Sequence, residues 1–383
     1  MTKKGKPTEV LTRKQISKRE REAQQRRILY AIATVTTLAV LAVLGFGFYQ
    51  EYIVKPSAPI ALVNDKSIST RDYQTMVKYR RFELENTASR IQYQLSFLDP
   101  TAEEQQFLVQ YFQQQLQQIQ LQQMNLPMQI LDSMIDDELI RQEAARRNIT
   151  ATPEEVQAEI EQQFGYERNP PTPTPTPITA TLAITVTPTP TKAPMTLEEF
   201  QRNYNEYVIS VRKNAGMSET AFRRLFESSI YQRKLQEAFA EEVPTTAEQV
   251  HARHILVNTE EEAQKVMERL QAGEDFAALA EELSKDPGSA SKGGDLGWFP
   301  RGMMVTEFEE AAFALQPGET SDIIKTSYGY HIINVIERDA NRPLDEDFLA
   351  QKKASALDDW LEQQRNSEAV KRYWSSDKVP PTK

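Results

Sequence analysis

From Ile28 to Phe48 the chain runs 21 residues without a charge, ILYAIATVTTLAVLAVLGFGF. At 1.5 Å rise per residue a helix of this length spans roughly 30 Å of hydrocarbon. Tyr30, Tyr49 and Tyr52 stand near its two ends, where amphipathic rings favour the membrane interface. The segment is longer than the apolar region of a usual signal peptide, and no small-x-small cleavage site follows it. It therefore reads as an uncleaved single-span anchor, with a cleaved signal peptide as the rival.

Beyond it, hydrophobic positions recur mostly at helical spacing. IALVNDKSISTRDY predicts a short strand, an Asn-Asp turn and a helix capped by Ser69 or Thr70. A Gln-rich helix follows, with Leu108, Phe112, Leu116 and Ile119 on one face. Leu131, Met134, Ile135 and Leu139 then form a second stripe, and Pro153 opens another helix. Helical patterning returns at Thr196 and runs until Pro244, with Ser218 or Thr220 as a cap in its second half. Between these parts, 17 of the 26 residues from Asn169 to Pro194 are Pro or Thr. Such a composition cannot offset chain entropy by burial and predicts an extended, disordered spacer, either bare or O-glycosylated.

Residues 247–338 differ in kind. Eight of the 13 glycines lie between Gly273 and Gly329, marking tight turns. Three short helical stripes (Ala263/Val266/Met267/Leu270, Phe276/Leu279/Ala280/Leu283, Phe308/Ala311/Ala312/Leu315) alternate with the strand-like runs QVHARHILV, DLGWF, SDIIKT and GYHIINVIE. The order predicts a compact α+β domain, and Leu344–Trp374 reads as one more amphipathic helix. The divisions that result are a basic tail (1–27), the transmembrane helix (28–48), a first helical part (58–165), the Thr/Pro-rich spacer (166–196), a second helical part (197–243), the α+β domain (247–338), and a C-terminal helix and tail (339–383).

Composition narrows the chemistry. The chain has 383 residues, no cysteine and three histidines, His251, His254 and His331. Disulfide staples, thiol nucleophiles and thiolate metal sites are thereby excluded. The net charge of −10 is uneven: residues 1–27 carry +7, leaving −17 downstream. The basic run before the span and the near-neutral stretch after it place the N-terminus inside. An acidic region behind a basic tip is a poor nucleic-acid binder. No GxSxG elbow, P-loop or dinucleotide fingerprint occurs, and no HxH or HxxxH pair, so neither a cofactor nor a metal is indicated. His254 shares a strand face with Val250, Ala252 and Leu256, and His331 shares one with Ile333 and Val335. Spacing alone makes them two satisfied core histidines.

The runs ARHILVNTEEEA, FAALAEELSKDPGSASKGGDLGWFPRGMMVTEFEEAAFAL and SYGYHIINV closely resemble parvulin-type peptidyl-prolyl cis-trans isomerases. The resemblance implies a four-stranded antiparallel sheet with surrounding helices. It puts His254 and His331 side by side at the centre of the site and Asp286 at the family's Cys-or-Asp position. Met304 and Phe308 would carry the proline-ring pocket, with Leu296 lining it. Phospho-specific members add a basic cluster after the first strand; NTEEEA is acidic there, which argues against phosphate-directed specificity. The flanks, IALVNDKSIST and LDSMIDDELIRQEAARRNITATPEEVQAEI, are similar to the helical chaperone region of the SurA, PrsA and PpiD foldases. An uncleaved span in this order most resembles the membrane-anchored PpiD type, whereas PrsA proteins are tethered by a lipidated cysteine that is lacking here.

The resemblance implies a foldase of the bacterial cell membrane, its C-terminal domains extracytoplasmic, acting on unfolded or newly exported polypeptides with X-Pro bonds. Beyond the bilayer and such clients no partner is indicated, and the oligomeric state is open. Two alternatives stand beside this reading. One is a client-binding chaperone whose isomerase fold serves as a surface; the other is an envelope adaptor that uses the spacer for reach.

Overall fold

The computed structural model describes residues 13–169 and 194–381. The body of the Thr/Pro-rich spacer and the first twelve residues of the basic tail lie outside them. Helix α1 (Arg13–Tyr49) contains the expected span. Its Thr34 and Thr36 hydroxyls donate to the carbonyls of Tyr30 (2.8 Å) and Ile32 (2.9 Å), one turn back along the helix. Among the described residues one stretch, Thr34–Ser57, is long and apolar enough to cross a membrane, and none of it is buried in the protein. A π-helical segment, Gln50–Val54, and the one-turn helix α2 (Lys55–Ser57) follow.

Two compact units come next. The first comprises the chain up to Gln232 together with Leu361 onward. Strands β1 (Pro59–Val63) and β2 (Lys66–Ser69) form a hairpin where the sequence suggested one strand. Asn64 and Asp65 both take positive φ (47° and 65°), the pair of conformations that a two-residue type I′ turn demands. Ser69 caps α3 (Thr70–Leu95), its hydroxyl accepting from the Asp72 N–H. Helix α4 (Gln106–Arg146) continues through Pro127, so the two stripes predicted from sequence lie on one helix. Leu131, Ile135 and Leu139 are buried as expected, and so is Ile119, but Leu108 is exposed. In its first half α4 buries Val109, Ile119, Leu126 and Ile130, a stripe rotated from the predicted one.

Capping boxes open α5 (Pro153–Gln163, Thr152 with Glu155) and α6 (Leu197–Ala215, Thr196 with Glu199). Ser218 precedes α7 (Glu219–Glu242) and accepts from the Ala221 N–H. The core between these helices holds Tyr79, Ile160, Phe200, Val208, Phe222 and Ile230.

The second unit, Arg233–Trp360, contains a four-stranded sheet in the order β4-β3-β6-β5 with every neighbour antiparallel. Its strands are β3 (Thr246–Val257), β4 (Asp295–Pro300), β5 (Ile324–Thr326) and β6 (Gly329–Pro343). Helices α8 (Glu260–Gln271), α9 (Phe276–Leu283) and α10 (Thr306–Ala314) cover it on two sides. Strand alternation sorts the core: Val250, Ala252, Ile333 and Val335 pack with Phe299, Phe308 and Phe313 on one face. Ile255, Val257 and Ile332 meet Val266, Phe276 and Leu279 on the other.

Helix α11 (Glu346–Arg365) follows. The expectation of helix to Trp374 is corrected here: beyond a turn at Asn366–Ala369, β7 (Val370–Arg372) pairs antiparallel with β1 and completes the sheet β2-β1-β7. A strand edge already formed by residues 59–63 supplies hydrogen-bond partners that no local pattern announces.

Candidate active site

His254 and His331 lie on adjacent strands, but not directly opposite. His254 faces Ile333 in register, and Leu256 faces His331. The two histidines are therefore diagonal neighbours on one sheet face, a separation that long side chains bridge. Their Nδ1 atoms are 3.1 Å apart, the rings are nearly parallel (20°), and both residues are buried.

The segment after α9 brings a carboxylate to them. Lys285 donates its N–H to the Leu256 carbonyl (2.7 Å) and Ser284 Oγ accepts from the Leu256 N–H (3.2 Å), stitching this segment to β3. Further along, the His254 N–H donates to the Gly294 carbonyl (2.9 Å). Gly294 has φ +81°, and a Cβ there would lie 2.2 Å from the His254 carbonyl oxygen, so only glycine allows this approach. Between these two anchors Asp286 turns inward. Its Oδ1 accepts from the Gly288 N–H (3.1 Å), and its Oδ2 lies 2.8 Å from His254 Nε2 and also accepts from the Ser289 hydroxyl.

On the far side, Thr326 Oγ1 lies 2.8 Å from His331 Nε2 and accepts from the Tyr328 N–H (3.1 Å). Burial pushes the His331 imidazole down to about 4, helped by the neighbouring His254 and opposed by Asp286. For Asp286, burial pushes upward, but hydrogen bonds from Ser289, His254 and the Gly288 N–H outweigh it and hold the carboxyl at about 2. At neutral pH the site thus has an ionised carboxylate and an uncharged His331. These partners orient the two imidazoles. His254 Nε2 donates to the ionised Asp286 carboxylate, and His331 shares one hydrogen bond with His254 Nδ1 and one with the Thr326 hydroxyl.

Over this chain stands an apolar wall. The Phe308 ring meets both imidazoles edge-on, with centroids 5.6 Å from His254 and 5.4 Å from His331. Leu296 and Met304, both partly exposed, pack against the cluster that contains Phe308 and Phe299. The structure thus gathers the six residues singled out from sequence: His254, Asp286 and His331 through hydrogen bonds, and Leu296, Met304 and Phe308 through one apolar cluster. Ser289 and Thr326 belong to the same network and were not singled out; a serine in a Gly/Ser-rich turn and a threonine at a strand end carry no distinguishing pattern. Among the described residues no three His, Cys, Asp or Glu side chains converge as metal ligands would.

Residues 236–339 match the family model for the PPIC-type PPIASE domain, and residues 95–169 match that for the SurA-like N-terminal domain. Foldase protein PrsA of Geobacillus kaustophilus is 56% identical over 97 residues, 25% of this chain and 34% of that protein. Foldase protein PrsA 4 of Bacillus cereus is 36% identical over 152 residues, 38% of this chain and 52% of that protein. The chain thus spans between about a third and a half of the length of these curated relatives. Among solved structures, the parvulin NmPin of Nitrosopumilus maritimus is 52% identical and matches 24% of this chain and 98% of its own, with a TM-score of 0.23.

Proposed function

We propose that this chain, a member of the PPIC-type peptidyl-prolyl isomerase family through residues 236–339, is a membrane-anchored foldase that rotates X-Pro bonds in exported polypeptides. The observation that carries the reading is the juxtaposition of an apolar wall (Leu296, Met304, Phe308) with a buried histidine pair, His331 uncharged, and an ionised Asp286.

Rotation about an X-Pro bond crosses a barrier of about 18–20 kcal/mol because amide resonance is lost midway. The twisted amide separates less charge than the planar one, so an apolar surround stabilises it differentially. In this reading Met304, Phe308 and Leu296 hold the pyrrolidine ring while the preceding carbonyl swings. His254 and His331 form the floor, fixed at both ends by Asp286 and Thr326, and Asp286 biases the field around the rotating carbonyl. No covalent intermediate is needed. General acid–base catalysis by His331 is disfavoured by the depression of its imidazole to about 4, far from a working pH near 7. Anchoring through Thr34–Ser57, with the isomerase domain on the extracytoplasmic side, places the activity where slow prolyl isomerisation limits newly exported chains.

The test is exchange NMR on an unphosphorylated X-Pro peptide with catalytic amounts of the full chain in detergent micelles. Acceleration that disappears in Met304→Ala supports the reading. A folded chain that gives no acceleration with any of several X residues sinks it. A second reading, a chaperone that holds clients, is favoured by a cavity of about 420 Å³ in the helical unit whose walls include Tyr79, Phe164, Tyr207, Phe222 and Phe226. It would take the lead if the chain suppressed aggregation of an unfolded client without speeding isomerisation.

A further inference from the structure

Strand β2 and helices α3, α4 and α7 line a second cavity of the first unit, of about 270 Å³. Its apolar side is made by Ile68, Met76, Met134, Met217 and Leu225. Three of these are methionines, whose unbranched thioether chains adapt to a slender guest. The α4 wall carries Met134, Asp137, Glu138 and Arg141, spaced i, i+3, i+4 and i+7 and therefore on one helix face.

The two carboxylates on that wall differ in kind. Glu138 accepts from Lys66 Nζ (3.0 Å), Arg141 Nη1 (2.8 Å) and Gln142 Nε2 (2.8 Å). Asp137, one residue before it, is half-buried yet receives no hydrogen bond and forms no ion pair. Burial pushes its carboxyl up to about 6, and the more distant pull of Arg141 and Arg80 does not offset this. Its lone pairs are thus free for a donor that enters the cavity.

Charge decides which donor. Lys66 and Arg141 are already spent on Glu138, and Asp72 accepts from the Ser69 hydroxyl (2.7 Å). An anion would lie against Asp137 with only the exposed Arg224 at the rim to offset the repulsion. A cation meets a carboxylate for which no group of the protein competes. The apolar side adds that its head should sit on an aliphatic stem.

We infer that this cavity is a binding site for a primary alkylammonium group, its head on Asp137 and its stem along Met76, Met134 and Met217. The group belongs either to a free alkylamine or to a lysine side chain, which present the same chemistry. The site lies in the helical unit and does not depend on isomerase activity.

The probe is n-butylammonium, which has the head and stem of a lysine side chain, added to the full chain in micelles. The chain has 10 methionines, and 13C-methyl methionine NMR should show saturable shifts at up to about 50 mM, the range open to so small a ligand. Met134→Leu assigns one of the moving signals. n-Butanol, which keeps the stem without the charge, should bind at least about tenfold more weakly. Asp137→Asn keeps the shape and should weaken butylammonium at least about tenfold. It should also melt no lower than the unmodified chain, because no partner is lost. Nα-acetyl-lysine N-methylamide separates the two sources: shifts at the same methionines assign the site to a lysine of a polypeptide, and shifts with butylammonium alone assign it to a free amine. Absence of shifts with both overturns the inference. So does butanol that binds as tightly as butylammonium, or butylammonium that binds undiminished to Asp137→Asn. A marked fall in the melting temperature of Asp137→Asn would mean that the carboxylate already has a partner, and would overturn it too.

Discussion

His331 is 5% exposed, and its imidazole is held down to about 4 against an ordinary value of 6.5. The unfolded chain takes up a proton at this position below pH 6.5, while the folded chain refuses it until about pH 4. Within that window the unfolded state binds more protons, so stability falls as pH falls. Above pH 6.5 the group contributes no pH dependence. By pH 5 it should have cost about 2 kcal/mol, and below pH 4 the full difference, about 3 kcal/mol. Two measurements check this on the full chain. With only three histidines, 13C-histidine NMR resolves each titration, and His331→Gln assigns the relevant signal. Hydrogen exchange of β3 and β6 amides between pH 7.5 and 5, corrected for intrinsic rates, reads the stability of the sheet. The unmodified sheet should weaken across this range more steeply than that of His331→Gln. If His331 titrates at 6.5 or above, or the two slopes coincide, the histidine pair is not the desolvated floor described above.

Other perturbations separate the roles of the neighbouring groups. Met304→Ala should cut the rate on an X-Pro peptide at least about tenfold by removing ring contacts, whereas His254→Gln should cost less than about tenfold if the histidines only shape the floor. A loss of several orders of magnitude for His254→Gln in a folded protein would reverse that ranking. Thr326→Val deletes the hydroxyl that faces His331 Nε2 and receives the Tyr328 N–H; it should destabilise the domain by about 1–3 kcal/mol, read by thermal melting, and shift the His331 NMR signal. Gly294→Ala places a methyl group against the His254 carbonyl at a positive φ and should cost at least about 2 kcal/mol. A melting temperature unchanged by Gly294→Ala would mean that the segment carrying Asp286 does not approach β3 as closely as described.

Local patterns carried much of this architecture. The strand–helix order of residues 247–338 follows from alternating and helical periods, and Ser69 and Thr196 mark helix starts by their own chemistry, as does Thr259, whose hydroxyl accepts from the Glu262 N–H at the start of α8. His254 and His331 are legible as same-face strand residues, but periodicity alone leaves them as core histidines. Their pairing depends on a strand register set by bulges near His251 and Ala252, which no residue pattern announces. The resemblance supplied Asp286, Met304 and Phe308. Ser289 and Thr326 escaped both, because a hydroxyl becomes a network member only through what folds against it. The missed strand β7 has the same origin: three residues, Val370–Arg372, hold their conformation only because β1 is there to receive them.

That late strand has a consequence for synthesis. Val63 pairs with Val370, so the middle strand of the first unit's sheet receives its second neighbour only after the entire isomerase domain has emerged. Residues 233–360 are contiguous and need nothing downstream to close their own sheet, whereas the helical unit around them cannot be finished by any shorter product. A chain stopped before Val370 leaves the outer edge of β1 bare, an unpaired template for foreign strands. The sheet thus closes only once the chain has been made as far as Arg372.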